Sequence, residues 1–213
     1  MHLLATALPA YVIFLFSICF HEFSHSLVAT LRGDSTSQLM GRLTLNPMAH
    51  ADPLGTVLLP ILGLMSPFPM LGWAKPVPVN ESNLKQPRVD MFWIAFAGPL
   101  SNILLATIGV FAFEFYQARI GQVPDDYNRL VGMLIGTNLG LAIFNMLPVY
   151  PLDGSKVVAR FFPESWNRVL EENQQMISTA LLFLLFFGGL RVLQYPIVWT
   201  LNGLTLVARS VVG

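Results

Sequence analysis

Charge is scarce in this chain. Only 11% of its 213 residues are Asp, Glu, Lys or Arg, against about 25% in a typical soluble domain. Twelve basic residues balance twelve acidic ones, so there is no positive field of the kind that binds nucleic acid. Cysteine is almost missing: Cys19 stands alone, which excludes an intrachain disulfide and a thiolate zinc site of the finger type. Any metal must therefore use His and carboxylates. No basic residue precedes the first apolar run, and the run continues to about Leu31, so it reads as a retained span rather than a signal peptide. Repeats, low-complexity tracts and dividing linkers are absent, and residues 1–213 read as one membrane-embedded domain.

What is present is apolar sequence, 54% of the chain. Crossing a hydrocarbon core about 30 Å thick takes about 20 helical residues, and several runs qualify. The pattern predicts an all-α polytopic membrane protein. Leu3–Leu31 is a first span ending at Arg32-Gly33, where Gly33 caps the helix. Residues 35–52 mix Thr, Leu and Gln with Gly41, Asn46 and Pro47 and predict a short hairpin. Leu54–Leu71 is apolar but broken by Pro60, Pro67 and Pro69, which predicts a re-entrant segment. Gly72-Trp73-Ala74-Lys75 and the residues up to Val79 alternate like a strand, confined by Pro76 and Pro78 to a sheet edge. Met91–Tyr116 and Leu130–Leu147 are two further spans, and Met176–Leu190 and Pro196–Val211 are two C-terminal transmembrane segments.

Chemistry enters at His21-Glu22-Phe23-Ser24-His25. Two His at i and i+4 share one helix face and can hold one zinc ion, while the adjacent Glu22 can take a proton from water that the metal acidifies. An unpaired ionisable group in mid-membrane costs about 2.5 kcal/mol or more, which favours a metal role over idle packing. A catalytic zinc takes three protein ligands and leaves one position open. Asp153 is the candidate for the third, in a proline-broken run at the foot of the third span; the alternative is an ordinary Asp-Gly turn.

These motifs, with Gly98-x-x-x-Asn102 and Asn145-x-x-Pro148-x-x-Pro151-Leu152-Asp153-Gly154, together resemble the site-2 protease family, intramembrane zinc metalloproteases. The resemblance covers a three-span core, residues 3–154. It implies one zinc on His21, His25 and Asp153, with Glu22 as catalytic base. Asn145 and Asn102 would be polar groups near substrate or oxyanion, although Asn in a membrane helix also serves simply to bond a neighbouring helix. Gly72, Trp73, Ala74 and Lys75 would be the family's edge strand beside the active site, and residues 176–211 would surround the core and gate substrate access. The partners implied are the lipid bilayer and a transmembrane protein substrate. No PDZ-like insertion is seen, and the stretch between Gly154 and Met176 leaves no room for a cystathionine-synthase-type domain, so the chain resembles the minimal members. His50 is either a further ligand or substrate contact, or an interfacial turn residue. A metal transporter using the same His/Asp cluster is the rival reading, and a scaffold that keeps zinc for stability is a weaker one.

Topology supplies an internal test. The His pair lies late in the first span and Asp153 just after the third, so they meet only if residues 54–71 enter and leave on one face. The loops at 32–52, 72–90 and 149–175 and the C-terminus then share a face holding nine of the twelve basic residues, with Arg119, Arg129 and Arg191 opposite. The positive-inside rule makes the active-site face cytoplasmic and puts the N-terminus outside. Helix rise sets the metal about 10 to 17 Å inside the Arg32 end.

Overall fold

The computed structural model describes residues 2–64 and 72–213, and among these no residue is in a β-strand. Near-unbroken apolar sequence makes α1, His2–Arg32. Two short helices follow, α2 (Thr36–Leu39) and α3 (Pro47–His50), then a π-helical turn, Pro53–Leu58, that runs into α4 (Leu59–Leu64). An extended stretch from Gly72 leads through a 3-10 turn to α5, Pro87–Ile120, which returns through Gly121 to α6, Asp125–Asn145. The chain closes with α7 (Asp153–Ala159), α8 (Glu164–Glu172), α9 (Gln174–Phe186) and α10 (Gln194–Val212). α1 and α5 are long and apolar enough to cross a membrane. At 1.5 Å per residue they run about 46 and 51 Å.

α5 packs along both α1 and α6, and small residues allow the close approach: Ala106 and Val110 of α5 meet Ile135 and Leu139 of α6, with Ala208 of α10 sealing the cluster. One end of this bundle is tied by polar contacts. Arg32 reaches Asp90 at 3.3 Å, and Arg88 donates to the carbonyls of Ala159 and Phe162, so the end of α1, the start of α5 and the α7–α8 connection lie together. Fully buried Asp34 accepts from Thr36, Asn80 and Asn83 at 2.5–3.1 Å. Burial works against its charge, but these bonds outweigh that cost and hold its carboxyl below the ordinary range.

Three expectations are revised. The hairpin at 35–52 is replaced by α2 and α3, because Asn46-Pro47 is a helix start rather than a turn: the Asn46 side chain accepts from the Met48 amide at 3.1 Å and Pro47 occupies the first turn. The expected edge strand is extended but unpaired as a ladder. It makes isolated bonds, Trp73 N–H to the Gly55 carbonyl (3.1 Å) and Lys75 N–H to the His50 carbonyl (2.8 Å), while the Thr56 hydroxyl donates to the Trp73 carbonyl (2.9 Å). Of the segment 54–71, residues 65–71 lie outside the described residues.

The third revision concerns the C-terminus. Arg209, near the end of α10, bonds Glu114 at 3.0 Å, close to the Ile120 end of α5 and far from Pro87. The end of α10 therefore lies by the Ile120 end of α5, whereas the sequence reading grouped the C-terminus with the loop that precedes Met91. The run Met176–Leu190 misleads because Gly188, at φ 73°, and the 3-10 turn Gly189–Leu193 stop the helix at Phe186. The thirteen residues of α9 span only about 20 Å, too short for a crossing of about 30 Å.

Candidate active site

His21 and His25 lie one turn apart on the buried side of α1, and both imidazoles rest against the backbone of α5 at Gly98. A Cβ there would stand 2.6 Å from His21 Cε1 and Nε2, and closer still to His25 Nε2. Only glycine lets both rings occupy that position. The Ile94 carbonyl, one turn before Gly98, accepts from His25 Nδ1 at 2.6 Å. Asn102, one turn beyond Gly98, presents Oδ1 to His21 Nδ1 at 2.6 Å. The Gly98-x-x-x-Asn102 spacing thus makes room for both rings and orients one of them, His21.

Asp153 arrives from the opposite side. It opens α7, and the next residue, Gly154, packs so closely on the preceding loop that a Cβ there would collide with the carbonyls of Met146 and Leu147. Asp153 Oδ2 stands 3.0 Å from His21 Nε2 and 3.3 Å from His25 Nε2, and the two Nε2 atoms are 3.0 Å apart. Tetrahedral donors at 2.0–2.2 Å from zinc lie about 3.3–3.6 Å from one another, so the trio is a slightly contracted version of that arrangement.

Proton bookkeeping decides what the trio can hold. The Ile94 carbonyl cannot donate, so Nδ1 of a neutral His25 carries its hydrogen and Nε2 is a lone pair. Asn102 uses Nδ2 to donate to Asn138 Oδ1 (2.8 Å) and the Ser17 carbonyl (3.3 Å), which leaves Oδ1 to accept from His21 and makes that Nε2 a lone pair too. With both imidazoles neutral, two Nε2 lone pairs and a carboxylate oxygen face one another at 3.0–3.3 Å. That donor set fits a divalent cation.

Glu22 lies next to the trio. Its carboxylate accepts from the Val77 amide at 3.2 Å, and donor atoms of His21, Glu22 and His25 all fall within 4.8 Å of one another. The four residues open onto a mostly apolar cavity of about 500 Å³. Gly72, Trp73, Ala74 and Val77 form one side, Leu181, Leu182 and Leu185 of α9 another, and Asn145 also lines it. Asn145 Nδ2 donates to the Leu141 carbonyl at 2.9 Å.

The sequence-predicted residues are thus brought together, Asn102 against His21 rather than on the cavity, except Lys75 and His50, which do not line the cavity. Asn102 is fully buried behind His21 with both N–H groups engaged, so it has no donor for an oxyanion. His50 is buried elsewhere, its Nε2 donating to the Thr44 carbonyl 2.8 Å away. Sequence reasoning missed Ser17 and Asn138, both fully buried in the network behind His21. The available signal was spacing: Asn138 lies seven residues, two turns, before Asn145 in an apolar helix.

The sequence profile of peptidase family M50 matches residues 9–128 and 121–188. The chain belongs to that family, the site-2 proteases. Among its M50 relatives, the Bacillus subtilis protein named "Putative zinc metalloprotease YwhC" is 38% identical over 151 residues, covering 69% of this chain and 66% of that protein. "Putative zinc metalloprotease Rip2" is 29% identical over 172 residues in Mycobacterium tuberculosis H37Rv (80% of this chain, 62% of that one). The Mycolicibacterium smegmatis protein of that name is 28% identical over 141 residues (66% and 52%). The chain therefore spans from about half to about two thirds of the length of these relatives. No solved structure matches it.

Proposed function

We propose that this M50 chain is a zinc endopeptidase that hydrolyses peptide bonds in or near the membrane-spanning segment of another protein, with one zinc on His21, His25 and Asp153. The observation that carries the reading is the convergence of two imidazole Nε2 atoms and a carboxylate oxygen at 3.0–3.3 Å, a donor set that, with both imidazoles neutral, suits a divalent cation. Zinc bound there supplies a Lewis acid for the scissile carbonyl and acidifies water. Glu22, beside the donors, accepts the proton of the attacking water and passes it to the leaving amine. Asn145, on the cavity wall, is the polar side chain placed to meet the substrate backbone; Asn102 serves His21 instead. A helical substrate hides its peptide bonds, and the extended residues Gly72–Val79 along the cavity would hold the unwound chain by strand addition.

The membrane reading rests on an inverted surface. Leu8, Val12 and Phe16 of α1 and Leu100, Leu104 and Ile108 of α5 are exposed, while Ser17, His21, Asn102 and Asn138 are inside, the pattern expected where the solvent is lipid. The bonds from Trp73 and Lys75 back to Gly55 and His50, with Tyr11 of α1 donating to the Thr56 carbonyl, support a re-entrant segment whose two ends lie together against α1. With α9 as a partial insertion and α10 ending at Glu114, the C-terminus lies on the same side as the N-terminus. Arg32, Arg42, Lys75, Lys85, Arg88, Lys156, Arg160 and Arg168 remain on the active-site face, which keeps that face cytoplasmic.

The test is purified protein assayed for zinc and for cleavage of a reporter containing a membrane-spanning helix. About one zinc per chain and a cut in or beside the helix are expected. Zinc carried across sealed vesicles with no cleavage would establish the transporter reading instead. Single cysteines in a Cys19→Ser background check the topology: Asp52→Cys and Asn80→Cys should label from the cytoplasmic side and Ser210→Cys from the other.

A further inference from the structure

We propose that Asn138, together with Ser17, is a positioning residue for His21: the pair fixes through Asn102 which His21 nitrogen faces the zinc and at what angle. The inference rests on the zinc reading above. Its starting point is a group whose role is unambiguous, the Leu134 carbonyl, which can only accept. Asn138 Nδ2 donates to it at 2.9 Å and to Ser17 Oγ at 2.9 Å. Were the Asn138 amide reversed, its oxygen would face that carbonyl oxygen, so its Oδ1 must point at Asn102 Nδ2, 2.8 Å away. Asn102 is fixed in turn, its second hydrogen going to the Ser17 carbonyl. Its Oδ1 is then the acceptor for His21 Nδ1. Ser17, Asn102 and Asn138 are all fully buried, so water cannot substitute for a missing partner.

The two imidazoles are therefore supported differently. His25 is held directly by a backbone carbonyl. His21 depends on three side chains contributed by α1, α5 and α6, and two of them, Ser17 and Asn138, touch neither the metal ligands nor the cavity. Losing such outer partners typically weakens metal binding 10- to 100-fold. Asn138→Leu keeps the volume and removes every bond that Asn138 makes, leaving the Asn102 amide held only by the longer bond to the Ser17 carbonyl at 3.3 Å. Ser17→Ala removes only the Oγ acceptor and should act in the same direction by a smaller factor.

The test measures zinc affinity by chelator competition and the visible absorption of the cobalt-substituted protein, for wild type, Asn138→Leu and Ser17→Ala in detergent. Zinc affinity falling about 10- to 100-fold in Asn138→Leu, less in Ser17→Ala, with a cobalt spectrum altered in shape, is the expected result. Wild-type affinity and spectrum in both folded variants would overturn the inference while leaving the zinc reading intact. Should Asn138→Leu not fold, Ser17→Ala decides by the same criterion, since it only removes an atom. Wild type that binds neither zinc nor cobalt would instead overturn the reading on which the inference rests.

Discussion

The motif-bearing part of the molecule and its C-terminal wall are built by different rules. In α1, α5, α6 and α7, residues are held by close approaches and saturated hydrogen bonds: Gly98 against two imidazoles, Gly154 against two carbonyls, Asn102 and Asn138 with both N–H groups engaged. In α9 and α10 the contacts are apolar side chains, such as Leu181 and Leu185 on the cavity and Ala208 on the bundle, with one ion pair at the far end. A saturated polar network tolerates no substitution because every member fixes its neighbour. An apolar wall facing lipid or cavity tolerates many, provided volume is kept.

Substitutions sharpen this contrast, and the largest effect is expected at the ligand. Asp153→Ala removes one of three donors, so zinc content should fall to background after dialysis and cleavage should vanish; full zinc and activity would remove Asp153 from the site. Gly98→Ala comes next. Overpacking a close-packed site costs about 1–3 kcal/mol, and here it falls on the donors, so zinc affinity should drop by up to about 100-fold, measured by chelator competition. If Gly98→Ala binds zinc normally, the close approach does not govern the site. The smallest effect belongs to the wall. Glu114→Gln keeps an acceptor for Arg209, and thermal unfolding should move by no more than about 4 °C, with zinc binding and cleavage unchanged.

The same contrast explains what was legible in the sequence. The clustering of His21, Glu22 and His25 could be read because it depends on local spacing: i, i+4 sets both imidazoles on one face whatever surrounds them. Gly98-x-x-x-Asn102 was legible as a pattern, but its oxyanion role was not supported, because which way an amide points depends on partners from two other helices. Ser17 and Asn138 carry no local signature beyond being polar in apolar helices. The hairpin at 35–52 failed because Gly, Asn and Pro mark turns and helix starts alike, and Asn46-Pro47 turned out to be a start. The end of α9 was not legible because hydropathy reports the length of an apolar run, whereas Gly188 decides where its helix stops.

The account stands most directly on Glu22, whose carboxylate lies beside the converging donors without belonging to that trio. Glu22→Gln preserves shape and the bond accepted from Val77 but removes the proton acceptor. Zinc content and cleavage of a membrane-spanning reporter should be measured on the same preparation. Unchanged zinc with cleavage reduced about 10²- to 10⁴-fold is the result this account requires. Cleavage near the wild-type rate at full zinc occupancy would contradict it.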